Sequence, residues 1–307
     1  MEEVKPIKLK KYMKVSELVA QMEKAGFNAR KIGLASKIIK KMFKDKECKV
    51  FLGLSGALVP AGMKQIIIDL IKAKKIDVLV STGANLTHDL IESLGDKHYH
   101  CDSWDDLEFK KQGKDRMYNI FMENKVYISL EKFFEDNWDK LKESKTIREF
   151  LKRIGETLKE GDNSILRACY ESKIPIFCPA LNDSGIGLMI WGRKTQGKEI
   201  KIDAFEDMKD IIDLAWQAKK SGVIYIGGGV PKNFIQQSLQ FSKGADYGIQ
   251  ITLDKEQTGG SSGAPLKEGK SWGKLKKDSQ EGINYVDVYC DATIALPLIF
   301  SSYLEED

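Results

Sequence analysis

The chain has 307 residues, 42% of them hydrophobic and 31% charged, with 26 glycines and only 7 prolines. That apolar content excludes an intrinsically disordered chain. The glycine and proline usage excludes collagen-like polymers, and no uncharged apolar run is long enough to span a bilayer. Lysine and arginine number 49 against 45 aspartates and glutamates, a formal charge of +4, which is too even a balance to suggest bulk nucleic-acid binding.

The opening Met1-Glu2-Glu3-Val4-Lys5-Pro6 has no apolar core of the signal-peptide kind. The five cysteines are scattered and form no C-x-x-C pair. They read as reduced thiols, so a cytoplasmic protein is expected. Residues 1–47 are lysine-rich, with Val15, Leu18 and Met22, then Ile32, Ala35, Ile38, Ile39 and Met42, at helical spacing. They are expected to form a helical cap.

From residue 48 to 307 the pattern alternates. Expected strands lie at Val50–Leu54, Val78–Thr82, Ile176–Cys178, Val223–Ile226, Tyr247–Ile251 and Tyr285–Tyr289. Between them, helical patterns run over Met63–Ala73, Leu86–Leu94, Phe205–Lys220 and Asn233–Phe241. Strand, short Gly-bearing turn and helix in repetition imply a parallel sheet with helices on both faces. Continuously apolar strands imply that both faces are covered. The expected architecture is a Rossmann-like α/β fold in a single large domain.

In such sheets ligands bind beyond the carboxyl ends of the strands. Those positions hold Ser55 to Gly62, Ser81-Thr82-Gly83-Ala84-Asn85, Pro179 to Gly185, the triple glycine Gly227-Gly228-Gly229, and Asp291-Ala292. All are small, Gly-bearing or hydroxyl-bearing, as a turn approaching a phosphate or ribose must be. No complete G-x-G-x-x-G occurs, but the convergence of five such turns points to a nucleotide cofactor. Asp183 and Asp291 are the candidate ribose ligands, with helix capping as their alternative role.

A second constellation is Glu268-Gly269-Lys270-Ser271-Trp272-Gly273-Lys274. In an extended segment Trp272 and Lys274 would share a side. A lysine against an aromatic wall and away from water can form a Schiff base, and the ring can hold an ammonium by cation–π attraction. On composition alone, Lys274 could equally be one more surface lysine. The run His98-Tyr99-His100-Cys101-Asp102 reads as a structural histidine pair, not a metal site, because adjacent residues face opposite ways and no second cluster completes a ligand set. His88 is either an ordinary first-turn residue or one that faces a cofactor.

Taken together, Ile226-Gly227-Gly228-Gly229-Val230-Pro231-Lys232, Gly244-Ala245-Asp246-Tyr247, Ser262-Gly263-Ala264, Ser271-Trp272-Gly273-Lys274 and Tyr289-x-Asp291-Ala292 resemble the deoxyhypusine synthase family, from about Val50 to the C-terminus. The resemblance implies a cytoplasmic homotetramer that binds NAD. It implies oxidation of spermidine to an imine, carriage of the aminobutyl group on Lys274, and its transfer to a lysine of the translation initiation factor 5A precursor. It makes Glu268, Trp272, Asn233, Gly228, Ser261 and His88 the substrate-binding candidates. For NAD it implies Gly56, Ala57, Leu58, Val59, Pro60, Thr82, Gly83, Ala84, His88, Asp183, Ser262, Asp291 and Ala292, and it implies no metal.

The chain departs from the family pattern where acids are expected. Leu188 stands for an acidic residue, Asn233 for a histidine, Thr258-Gly259-Gly260-Ser261-Ser262 for Asp-Gly-Ser-Asp-Ser, Thr87-His88-Asp89 for Glu-Glu-Asp, and Ala57 for an asparagine. Losing carboxylates opposite an ammonium weakens its binding. Alternatives to spermidine transfer are therefore a homospermidine synthase-like activity, an agmatine-using transferase, and a non-catalytic regulatory paralogue. The retained Lys274 weighs against the last.

Overall fold

The computed structural model describes residues 2–101, 105–276 and 283–304; Asp102 of the histidine run lies outside them. In chain order the elements are α1 (Val15–Lys24), α2 (Phe27–Lys44), β1 (Cys48–Leu54), α3 (Lys64–Lys72), β2 (Val78–Ser81) and α4 (Gly83–Ser93). Next come β3 (Tyr99–His100), α5 (Asp106–Lys111), β4 (Lys114–Met117), β5 (Ile120–Glu123), α6 (Lys125–Leu141), α7 (Ile147–Thr157) and α8 (Ile165–Ser172). They continue with β6 (Ile176–Phe177), α9 (Gly185–Thr195), α10 (Ala204–Gln217), β7 (Lys220–Ile226), α11 (Gly229–Gln240) and β8 (Tyr247–Thr252). Two 3-10 turns at Glu256–Thr258 and Leu266–Lys270, then β9 (Tyr285–Tyr289) and α12 (Ala292–Leu304), complete the described elements. The chain divides into two compact units, Met1–Ser55 with Ala73–Val80 and Met208–Asp307, and Gly56–Lys72 with Ser81–Asp207.

In the first unit the strands lie in the order β2-β1-β7-β8-β9. The pairs β1·β7, β7·β8 and β8·β9 are parallel, with Phe51 opposite Val223, Ile224 opposite Ile249 and Ile251 opposite Val288. Leu52, Val223, Ile224, Ile249 and Ile251 are fully buried, as strands covered on both faces require. Residues Ile32, Ala35, Ile38, Ile39 and Met42 form one buried stripe on α2. The helix packs with α1 and α12, and a Ser36–Ser302 hydroxyl bond of 2.6 Å joins α2 to α12. The expected α/β fold with a parallel sheet is the one observed.

Element boundaries differ in instructive places. The helix expected from Asn233 starts at Gly229, because Pro231 sits in the first turn, where a backbone N–H has no intrahelical acceptor to lose. The helix expected to reach Lys220 stops at Gln217, and Lys220 opens β7. Helix α12 after Asp291 was not anticipated, nor was the antiparallel sheet β3-β5-β4 of the second unit.

The second unit is mostly helical. Phe134 and Phe150 stack with centroids 6.2 Å apart in its core. Its most consequential polar residue is Asp89, fully buried on α4. Its carboxylate accepts from the backbone N–H groups of Ile165 (2.8 Å) and Leu166 (3.0 Å) and from the Ser164 hydroxyl (2.7 Å). Ser164 in turn caps Arg167 N–H. The first turn of α8 thus has its orphan donors satisfied by a residue 75 to 77 positions earlier. Asp89→Ala should cost about 2–4 kcal/mol, since it strands two buried backbone donors. The expected result is a clear drop in thermal midpoint, and a smaller drop for Asp89→Asn, which keeps one acceptor.

Candidate active site

An open groove of about 780 Å³ lies within the first unit. One wall is the face of α11 carrying Asn233, Gln236, Gln237 and Gln240, residues at the i, i+3, i+4, i+7 spacing that shares one side of a helix. The facing wall comes from Glu256, the loop Gly259–Pro265 and the segment through Glu268, Trp272 and Lys274. The groove thus gathers Asn233, Ser261, Glu268, Trp272 and Lys274, which are distant in sequence.

Lys274 lies with its Nζ 5.0 Å from the Trp272 ring centroid, within cation–π range. The segment is not extended, as the spacing had suggested. Ser271 is helical in backbone and Gly273 takes φ +72°, so the chain turns back and the two side chains meet across a turn. Lys274 is fixed by its own backbone: its N–H donates to Gly269 O (2.8 Å) and its carbonyl accepts from Ala245 N–H (3.0 Å). Trp272 is 56% exposed, so one face remains open to a ligand. Glu268 is exposed on the 3-10 turn, its carboxylate without an ion pair among the described residues.

Two residues that sequence reasoning passed over build the wall behind them. Lys232 is 1% exposed. Its Nζ donates to Gln250 Oε1 (2.8 Å), Ser261 O (2.7 Å) and Ala264 O (2.6 Å), using all three ammonium protons. Gln250 returns a bond from Nε2 to Ser262 O (2.7 Å). Burial pushes the Lys232 ammonium down to about 8, with Lys274 acting the same way and Asp287 and Glu268 opposing. With every donor engaged, Lys232 serves as a clasp on the loop.

Gly228 lies against that loop. A Cβ there would fall 2.3 Å from Ser262 Cα, a backbone atom with nowhere to go. Ser55 Oγ donates to Gly228 O at 2.6 Å, and Ser261 Oγ donates to Gly229 O at 3.4 Å. Ser262 also bonds Asp254. Gly228→Ala should therefore displace the 261–262 segment and cost about 1–3 kcal/mol through overpacking. The thermal midpoint should fall, and tryptophan fluorescence should report a shift in the groove. Asp291, also in this unit, has Oδ1 engaged by Thr293 N–H and Thr293 Oγ1, both at 2.6 Å, the capping role at the start of α12, where Ala292 is the first residue.

The other candidates belong to the second unit. Asn85, fully buried, accepts with Oδ1 from Leu58 N–H (3.2 Å) and Val59 N–H (3.4 Å) and donates to Thr82 Oγ1 (3.1 Å). It ties the Gly56–Pro60 loop to the start of α4. Leu58, Val59 and Pro60 are buried, whereas Gly56 and Ala57 are exposed. A Cβ on Gly83 would lie 2.5 Å from Ser184 Cβ, so α4 and the Asp183–Ser184 turn begin side by side. Ser184, not Asp183, caps α9 through Gly187 N–H, leaving the Asp183 carboxylate exposed. Thr82, Gly83, Ala84 and Asp183 are thereby brought together at a helix N-terminus, a donor set with an adjacent carboxylate that suits the phosphate and ribose of a dinucleotide. His88, on α4, bonds His98; the histidine partnership joins these two and not His98 with His100. Leu188 is 57% exposed. Among the described residues no group of three or more His, Cys, Asp or Glu is placed to hold a metal ion, and no helix is long and apolar enough to cross a membrane.

The chain is similar to known proteins over nearly its whole length. A family model described as deoxyhypusine synthase matches residues 17–303. The protein named "Probable deoxyhypusine synthase 1" of Methanosarcina acetivorans is 42% identical over 302 residues, 97% of this chain and 93% of its own length. Its namesake in Archaeoglobus fulgidus is 42% identical over 294 residues, 95% of each chain. A crystal structure from Entamoeba histolytica assigned to the same enzyme superposes with a TM-score of 0.65 at 20% identity, covering 95% of this chain and 93% of that one.

Proposed function

Because the chain belongs to the deoxyhypusine synthase family, a family of transferases, we propose that it is an NAD-dependent aminoalkyl transferase working through an imine on Lys274. The observation that carries this reading is the placement of the Lys274 ammonium over Trp272 in a groove that also presents Glu268. A primary amine can condense with or exchange onto a substrate imine, and the ring and carboxylate supply the attraction that an ammonium-ended chain needs. Bound NAD supplies the hydride acceptor. Thr82, Gly83, Ala84 and Asp183 are the candidates to hold it, supported by the close start of α4 against the Asp183–Ser184 turn.

On this reading the donor is spermidine, the acceptor is a lysine of the translation initiation factor 5A precursor, and the enzyme is a homotetramer in the cytoplasm. A second reading is favoured by the carboxamide wall of Asn233, Gln236, Gln237 and Gln240. Neutral amide oxygens accept the planar donors of a guanidinium as well as those of an ammonium, which suits agmatine in place of spermidine. The test is NADH formation from NAD when spermidine, putrescine or agmatine is added to the pure protein. The amine that reduces NAD names the donor. If none does while NAD binds, the transferase reading fails.

A further inference from the structure

A second groove, of about 1000 Å³, also lies within the first unit. Helix α2 lines it with Arg30 and Lys31, the segment after β8 with Lys267 and Lys270, and β9 with Asp287 and Tyr289 among others. Strand β9 is the last in the sheet order and pairs with β8 alone. The Asn284 carbonyl accepts from Gly248 N–H of β8 at 2.9 Å. Backbone groups alternate along a strand, so those of Asp287 and Tyr289 turn away from β8. Asn28 Nδ2 donates to Tyr289 O at 2.7 Å, whereas the N–H and C=O of Asp287 have no partner among the described residues. An edge left in this state is a template for a further strand.

The charge on the groove is one-sided. Four cations, Arg30, Lys31, Lys267 and Lys270, line it with two carboxylates, Glu256 and Asp287. Asp287 accepts from Leu266 N–H at 2.9 Å. Burial pushes its carboxyl up, and the Leu266 bond, Lys232, Lys31 and Lys267 act against that, so lysines from both walls converge on this one strand position. Lys31 Nζ stands 4.4 Å from the Tyr289 ring centroid, and Lys270 Nζ 5.2 Å from that of Tyr285. Arg30 pairs with Glu2 at 3.0 Å, both side chains exposed, which ties up little of its attraction.

We propose that the β9 edge is a docking site for an extended acidic segment of a partner protein, which adds to the sheet as one more strand. Pairing with the Asp287 backbone sets the register. Alternate side chains of the added strand then fall toward the α2 wall and toward the 265–270 wall. Lysines stand on both, so acidic residues are attracted at successive positions and basic ones repelled. A small anion would meet the lysines but would leave the strand edge unused. Docking here requires no chemistry in the amine groove, with which the site shares Glu256, Pro265 and Lys267.

The probe is a fluorescein-labelled peptide of repeated Glu-Val, titrated with the full chain and followed by fluorescence anisotropy. It should bind, and more weakly as salt rises. The same peptide with lysine for glutamate, and the glutamate peptide N-methylated at every amide, should each bind about tenfold more weakly or worse. Lysine peptide bound as tightly overturns the acidic preference, and methylated peptide bound as tightly overturns strand addition. The Asp287 amide should exchange about tenfold more slowly with peptide bound; an unchanged rate places the peptide elsewhere and overturns the site. Lys31→Glu and Lys267→Glu, checked for an intact fold by circular dichroism, should each weaken binding about tenfold. Undiminished affinity in both removes the charge recognition. If no peptide binds and the Asp287 amide is instead protected in a self-associated form of the chain, the edge belongs to a second copy and the acidic partner is refuted.

Discussion

Lys274→Ala should lose transfer to any acceptor by on the order of 10³-fold or more, yet still reduce NAD when the amine donor is present. The split follows from the geometry. On the proposed reaction hydride would leave the amine carbon without help from the lysine, whereas capture of the resulting imine would need a primary amine at the position Lys274 holds over Trp272. Lys274→Arg should behave alike, because a guanidinium keeps the charge and the ring contact but is too weak a nucleophile. Fluorescent or mass detection of modified acceptor, run beside NADH absorbance, measures both halves. Transfer that survives in Lys274→Ala would remove the imine from the account.

The second large effect falls on a residue that does no chemistry. In Lys232→Met, Gln250 Oε1, Ser261 O and Ala264 O all lose the donor that a side chain 1% exposed supplies them. The expected cost is about 3–5 kcal/mol, concentrated in the loop that faces Lys274. Hydrogen exchange should therefore accelerate across residues 259–265 well before the β1 and β7 amides respond. Amine KM should rise more steeply than NAD affinity falls. Uniform loss of protection across the chain, with the loop no worse than the sheet, would count against a local clasp.

How far the fold could be read in advance depended on where each residue finds its partners. The strands β1, β7 and β8 announced themselves because a sheet covered on both faces needs uninterrupted apolar runs, and these segments have them. Gly228 and the Ser-Trp-Gly-Lys segment were legible as motifs, but their geometry was not. The Trp272–Lys274 pairing depends on the turn at Gly273, where spacing alone suggested an extended strand. The helix expected from Asn233 begins instead at Gly229, with Pro231 inside its first turn. Lys232 was hidden for a different reason. Its acceptors are one side chain and two main-chain carbonyls lying 18 to 32 residues away, and carbonyls carry no sequence signature. Asp89 and the His88–His98 contact were hidden likewise, since each answers to a loop or helix that only tertiary packing brings near. Asp183, read as ribose ligand or cap, turned out to leave the capping to Ser184.

The account stands most directly on one trapping experiment. The protein is incubated with NAD and the amine that reduces it, borohydride is added, and peptides are mapped by mass. The account predicts a stable aminoalkyl adduct on Lys274, dependent on NAD and absent in Lys274→Ala. An adduct confined to another lysine, or NAD reduction with no trapped adduct at all, would contradict it.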